Sequence, residues 1–277
     1  MLDIISAIIL GAVQGISEFL PISSSGHLVI IPHLLGVETG LAFDTILHIG
    51  TLVAIFTFFW NDIVNIIKGF IISLINLTEG KDKFIEGLQK VPEERFAWLI
   101  IIATIPTGIM GVLFKDAIET IFRGTVFVGI FLIITGLILY YSERHSSGNI
   151  TEKNMSFKQA IIIGICQGFA VLPGISRSGS TIASGLCLGL NREYAARYSF
   201  LLSLPSVIGA GLIQVKDIAT IDASITVLIA GFVSSVIFGY LSIKLLMKMI
   251  EGWSLDVFAY YCWIVGALTT ILSIIFI

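Results

Sequence analysis

Hydrophobic positions in this chain form long unbroken stretches, not the alternation of a sheet or the one-faced stripe of a surface helix. Ala97–Phe114, Gly124–Tyr141, Tyr198–Val215, Ala223–Ile243 and Val257–Ile277 contain no charged residue. Each has about the length a helix needs to cross a bilayer. Thr45–Trp60 is a slightly shorter sixth span. Ile63–Thr78 is also apolar but carries Lys68, and reads as an interfacial or extended helix.

Polar residues interrupt the pattern at two related places. Gly-Ala-Val-Gln-Gly at Gly11–Gly15 recurs as Gly-Ile-Cys-Gln-Gly at Gly164–Gly168, and Ser-Ser-Ser-Gly at Ser23–Gly26 recurs at the same offset as Ser-Arg-Ser-Gly at Ser176–Gly179. Each copy reads as a hydrophobic helix, a Pro/Gly/Ser elbow and a second apolar arm too short to span. The arms are Leu2–Leu20 and His27–Gly36 in the first copy, and Phe157–Leu172 and Ser180–Leu190 in the second. Elbow backbone at bilayer depth is tolerated only inside protein or along a wet cavity. Each copy is therefore expected to be a re-entrant helical hairpin.

Three spans follow each hairpin, and an odd number turns the second hairpin to the opposite face. The expected fold is an all-α polytopic membrane protein: one domain over residues 1–277, with an inverted-topology repeat of 1–142 and 157–277, six transmembrane helices and two re-entrant hairpins. Basic residues support this layout. Lys68, Lys81, Lys83, Lys90, Arg95, Arg144, Lys153, Lys158, Arg192, Arg197, Lys244 and Lys248 fall on one side, and Lys115, Arg123 and Lys216 on the other. The richer side is expected to be cytoplasmic. Both termini then face outward in a cell membrane.

Composition agrees. Only 13% of the residues are charged and mean hydropathy is +0.99, against about 25% charged in soluble domains. A net charge of −3 gives no reason to expect a nucleic-acid partner. The N-terminus lacks the basic segment of a removable signal peptide, so none is expected. Cys166, Cys187 and Cys262 have no metal-type spacing and read as small buried side chains.

The elbows carry the candidate chemistry. Arg177 is the one basic residue not placed in a loop, and an ionisable group at that depth is a functional candidate. Its planar fork suits phosphate oxygens. Gln14 and Glu18 share a helix face. Ser23, Ser24, Ser25 and Gly26 offer hydroxyls and N–H groups for an anion, followed by His27. Ser176, Ser178, Ser180 and Thr181 add hydroxyls, and Gly179 a close backbone approach. Glu18 is expected either beside an anion or metal, or paired with Arg177 to join the hairpins. His33, His48 and His145 lack such company and read as ordinary packing residues. A phosphorylated group bound inside a membrane implies a lipid substrate.

These stretches resemble the undecaprenyl-diphosphate phosphatase, or bacitracin-resistance, family. The matching elements are Gln14-Gly-Ile-Ser-Glu18, Ser25-Gly26-His27 and Pro173-Gly-Ile-Ser-Arg177-Ser178-Gly-Ser-Thr181. Gln14 stands where the family pattern allows Glu or Gln, and the Gln removes one possible metal-binding carboxylate and puts more weight on Glu18. The resemblance implies hydrolysis of a C55 diphosphate to the monophosphate, recycling the cell-wall carrier lipid. It also implies a divalent cation (Mg²⁺ or Ca²⁺) held at Glu18, an outward-opening site, and compatibility with a homodimer. Ser24 is the preferred nucleophile, with His27 as base or acid, Arg177 stabilising the transferring group, and Glu18, with Gln14, holding a metal or orienting His27. His27 or water as the attacking group stays open. Acid phosphatase-like lipid phosphatases also use Ser-Gly-His, but need a second His after the Ser-Arg element, and no His follows His145. A lipid transporter fits the architecture, though transport needs no nucleophile.

Overall fold

The structure is a computed structural model that describes residues 2–114, 124–146, 148–214 and 223–276. Among these, twelve helices follow one another: α1 Ile4–Phe19, α2 Ser24–Leu35, α3 Leu41–Phe58, α4 Trp60–Glu79, α5 Lys81–Lys90, α6 Pro92–Leu113, α7 Thr125–Arg144, α8 Phe157–Phe169, α9 Arg177–Cys187, α10 Arg192–Gln214, α11 Ile225–Gly252 and α12 Asp256–Phe276. The described residues contain no strand, only one isolated bridge between Ile150 and Leu190. Among the described residues, six helices are long and apolar enough to cross a membrane: α4, α6, α7, α10, α11 and α12. Their outward faces are Ile, Leu, Val and Phe, which only lipid can solvate without cost. The chain is an all-α, multi-pass membrane protein.

Two elements differ from the sequence reading. The Thr45–Trp60 span lies mostly in α3, which starts earlier and ends at Phe58. Ile63–Thr78 lies in α4, which meets the length and composition of a span. Its contacts with α6, however, fall on that helix's first turns. Gly69 lies against the Glu93–Glu94 backbone. Ser73 Oγ accepts from Trp98 Nε1 at 3.0 Å, and Asn76 Nδ2 donates to Glu94 at 3.2 Å. Two turns of α4 thus pass over little more than one turn of α6, so the two helices cross and do not run side by side.

Ion pairs and caps gather the helix ends at one end of the bundle. Arg192 donates to Glu143 and to the Trp253 carbonyl, both at 2.7 Å. Arg144 meets Asp256 at 3.0 Å, Arg95 donates to the Met155 carbonyl at 2.7 Å, and Arg197 pairs with Asp62. The ends of α7 and α11 and the starts of α6, α8, α10 and α12 therefore sit together. The three basic residues expected on the opposite side, Lys115, Arg123 and Lys216, lie outside the described residues.

Small residues set the longest packing seams. α1 packs along α11, with Gly11 against Gly231 and Gly15 against Ser235 and Gly239, too close to admit a Cβ. Ser234 Oγ adds a bond to the Ile8 carbonyl at 2.7 Å. α8 packs along α6 in the same way: Gly164 meets Ala103, Gly168 meets Met110, and Thr107 Oγ1 donates to the Gly164 carbonyl at 2.9 Å. In both pairs residue numbers rise together, so the helices run parallel. Because α6 starts at the charged end and α11 finishes there, α8 approaches the middle from the charged end and α1 from the other.

Candidate functional site

The two elbows form by the same local rule. A serine caps the helix that follows, its hydroxyl accepting from the N–H three residues on. Ser23 Oγ accepts from Gly26 N at 3.3 Å, and Ser176 Oγ from Gly179 N at 3.0 Å. This starts α2 at Ser24, earlier than the expected arm at His27. The caps leave the N–H groups of Ser24 and Ser25, and of Arg177 and Ser178, at two helix N-termini, where partial positive charge favours an anion. Ser23 has φ +70°, the one non-glycine with positive φ among the described residues, a conformation that costs energy for any residue bearing a Cβ. In the second elbow Gly174 takes the positive φ. Thr135 of α7 fixes that elbow by donating to the Gly174 carbonyl and accepting from Ser176 N, each at 3.0 Å.

The elbows touch. Gly26 lies against Gly174 and Gly179 against Pro21, and Ser178 Oγ donates to the Leu20 carbonyl at 3.3 Å. At the contact Glu18, 7% exposed, accepts from Ser24 Oγ at 2.5 Å, from Gln14 Nε2 at 3.1 Å and from Arg177 Nη2. The buried carboxylate is thus paired with a cation and bonded on both oxygens, the condition under which burial of charge is tolerated. Arg177 Nη1 is buried and has no partner among the described residues. A fork with one arm on Glu18 and one free arm is suited to an incoming phosphate oxygen.

A cavity of about 420 Å³ opens on this group. Glu18, Ser24, Ser25, His48 and Arg177 form its polar floor, and Ile49, Leu52, Val171, Val207 and Leu212 its apolar wall. A second cavity of about 600 Å³ shares Ser25, His48 and Gln214 with it and adds His33, Glu38, Thr39 and Asp44. Gln214 bonds to Thr45 across the α3–α10 seam.

The predicted residues divide into those that face the cavity and those that support it. Glu18, Ser24, Ser25 and Arg177 face it. Gln14, Ser23, Gly26, Ser176, Ser178, Gly179 and Thr181 lie behind it and shape the elbows, Thr181 through a 2.5 Å bond between its hydroxyl and that of Ser199. His27 lines neither cavity and is not brought to Ser24. Its Nδ1 donates to the Ser23 carbonyl at 2.8 Å, so Nε2 accepts from the Tyr261 hydroxyl at 2.8 Å. The His27 and Tyr261 rings stack with centroids 5.7 Å apart. The sequence reading missed Tyr261 and Gln214, which no local motif marks. It also set His48 aside, although an ionisable residue four positions after Asp44 in an apolar helix is itself a signal.

The same geometry tests a divalent cation. Among the described residues no group of three His, Cys, Asp or Glu side chains converges, and Glu18 already faces Arg177. One carboxylate does not make a protein cage. It does fit Mg²⁺, which commonly binds through one carboxylate plus substrate phosphates and water. As an arrangement of groups, the site can bind an oxyanion, offer it a serine hydroxyl and accept that hydroxyl's proton.

The chain matches the family described as bacitracin resistance protein BacA over residues 7–268. It is similar to the undecaprenyl-diphosphatase of Methanosphaera stadtmanae, 81% identical over 99% of this chain and 100% of the relative. It is also similar to the undecaprenyl-diphosphatases of Methanobrevibacter smithii, 48% identical over 99% of each chain, and of Alkaliphilus metalliredigens, 42% identical over 97% of this chain and 98% of the relative.

Proposed function

From the premise that the chain belongs to the bacitracin resistance protein BacA family, we propose that it hydrolyses undecaprenyl diphosphate to undecaprenyl phosphate and inorganic phosphate inside the membrane. The observation that carries this reading is the convergence of Ser24, Glu18 and Arg177 in one cavity whose other wall is apolar. The prenyl chain lies along the apolar wall and the diphosphate on the polar floor. The Arg177 arm that has no partner among the described residues and the N–H groups of Ser24 and Ser25 hold the terminal phosphoryl oxygens. Ser24 Oγ attacks the terminal phosphorus, and Glu18 Oε2, already bonded to that hydroxyl, takes its proton. His27, held between Ser23 and Tyr261, fixes the elbow that presents Ser24. A divalent cation bound through Glu18 and the diphosphate would neutralise phosphate charge.

The helices read best as an inverted repeat of 1–142 and 157–277, with the α1–α2 and α8–α9 pairs as re-entrant hairpins. Their parallel seams with α11 and α6, approached from opposite ends, support this. The charged end, rich in basic residues, is the cytoplasmic side of the cell membrane. The cavities are lined by the first turns of α3 and the last turns of α10, away from that end, so the site opens outward.

Phosphate release from undecaprenyl diphosphate by the purified protein with Mg²⁺ tests the reading. Ser24→Ala is expected to lower kcat by more than about 10³-fold, and Arg177→Ala by about 10²–10³-fold. Binding without hydrolysis by a folded wild type would favour lipid transport instead.

A further inference from the structure

The glutamines of the two repeat copies each support a group that lines the first cavity. Gln14 donates through Nε2 to Glu18. Gln167, its counterpart, donates through Nε2 to Thr107 Oγ1 and to Ser206 Oγ of α10, both at 3.1 Å, and Ser206 lines that cavity. The neighbours fix which way the Gln167 amide points. Thr107 gives its hydrogen to the Gly164 carbonyl at 2.9 Å, so it accepts from Gln167, and Nε2 is the atom on the hydroxyl side. Ser206 therefore also accepts, and its own hydrogen is left for another partner. A serine inside a helix can turn that hydrogen onto a carbonyl three or four residues back, as Ser203 does to Phe200 at 2.6 Å. Ser206 makes no such bond among the described residues. The arrangement is kept at a cost. Gln167 is 2% exposed and its Oε1 has no partner among the described residues, a loss that an apolar side chain there would avoid.

Position gives this free donor a role. From Val207 to Leu212 the α10 lining of the cavity is apolar, and Gln214, the next polar side chain, is bonded to Thr45. Ser206 thus borders the wall assigned to the prenyl chain, in the same cavity as the polar floor. On the reading above, the floor donors hold the terminal phosphoryl group. The other phosphate of the substrate, the one bonded to the lipid, lies between that floor and the prenyl wall. We infer that Ser206 donates a hydrogen bond to this lipid-bonded phosphate and that Gln167 is its positioning residue. The inference rests on the phosphatase reading. The pair lets the site recognise two consecutive phosphates on a lipid and not a single one. Negative charge gathers on the lipid-bonded phosphate as the bond from its bridging oxygen to the terminal phosphorus breaks. A hydroxyl already aimed by Gln167 stabilises that charge without having to reorient.

The two products separate the two phosphates. Undecaprenyl phosphate carries the lipid-bonded one, and inorganic phosphate is the terminal one. The test is inhibition by each product of label release from undecaprenyl diphosphate with a radiolabelled terminal phosphate, with folding checked by detergent melting temperature. Ser206→Ala is expected to raise the inhibition constant of undecaprenyl phosphate about ten-fold, the loss of one hydrogen bond to a charged group. The inhibition constant of inorganic phosphate should not change. Ser206→Thr keeps the hydroxyl and should restore the wild-type pattern. Gln167→Leu should raise the undecaprenyl phosphate constant less than Ser206→Ala does, and should add nothing when combined with it, because it acts only through that hydroxyl. A folded Ser206→Ala that binds undecaprenyl phosphate as wild type does, or that weakens both products equally, overturns the assignment while the phosphatase reading stands. A Gln167→Leu effect that persists in full without the Ser206 hydroxyl overturns the positioning role. A folded wild type that releases no phosphate overturns both readings.

Discussion

The Glu18–Arg177 pair joins the two elbows and also supplies the site, and these roles separate on mutation. Removing Arg177 alone leaves Glu18 charged and 7% exposed, which costs about 3–5 kcal/mol for a buried pair broken on one side. Removing both charges avoids that penalty. Glu18→Gln combined with Arg177→Met should therefore melt near wild type in detergent, whereas Arg177→Met alone melts well below it. Both should be inactive, because the proposed proton acceptor or the proposed phosphate fork is gone. If the double variant kept turnover, the pair would be a structural joint only. The sequence made Glu18, Ser24 and Arg177 legible because charged and hydroxyl groups at bilayer depth are costly and stand out. It did not reveal that His27 turns to Tyr261, more than two hundred positions away, since nothing local to the Ser-Gly-His element specifies where the ring points.

The paired seams carry the bundle at the scale of the helix. Gly15 of α1 sits so close to the backbone of Gly239 and Ser235 that a Cβ there would force α1 and α11 apart. Gly15→Val is expected to destabilise the protein by at least about 1–3 kcal/mol through overpacking. Because Glu18 lies one turn further on, it should also move that carboxylate off Arg177. The lowered melting temperature and lost activity should appear together. Gly108, with open space where a Cβ would go, provides the control: Gly108→Ala should leave both unchanged. Repeated glycines were visible in the sequence as a duplication, but which helix each seam met was not. The partner of α1 lies at the far end of the chain, and hydropathy does not encode pairing. The α4 boundary was also hidden, since one lysine in an apolar run is compatible with crossing the membrane or lying over α6.

At the scale of the molecule, the proposed topology puts the end that gathers Arg95, Arg144, Arg192 and Arg197 in the cytoplasm and the cavities, which lie away from that end, on the other side. In a background lacking the three native cysteines, Lys83→Cys of α5 should react with an impermeant thiol reagent only after cells are opened. Glu38→Cys, beside the second cavity, should react in intact cells. The reverse pattern would invert the topology and place phosphate release in the cytoplasm. The fold class was legible from long charge-free stretches because lipid permits few alternatives to helices.

The pairing of α1 with α11 also bears on how the protein is made. Gly11 and Gly15 are synthesised well before their partners, Gly231 and Gly239, which follow more than two hundred residues later. At about 5–20 residues per second, α1 waits on the order of ten to forty seconds for the surface it is shaped to fit. During that time its glycine face and Glu18 must be sheltered by the insertion machinery or by transient neighbours. A ribosome that stops before α11 releases a chain whose reactive elbow was never closed, which makes the C-terminal helices the point at which biogenesis of this enzyme is committed.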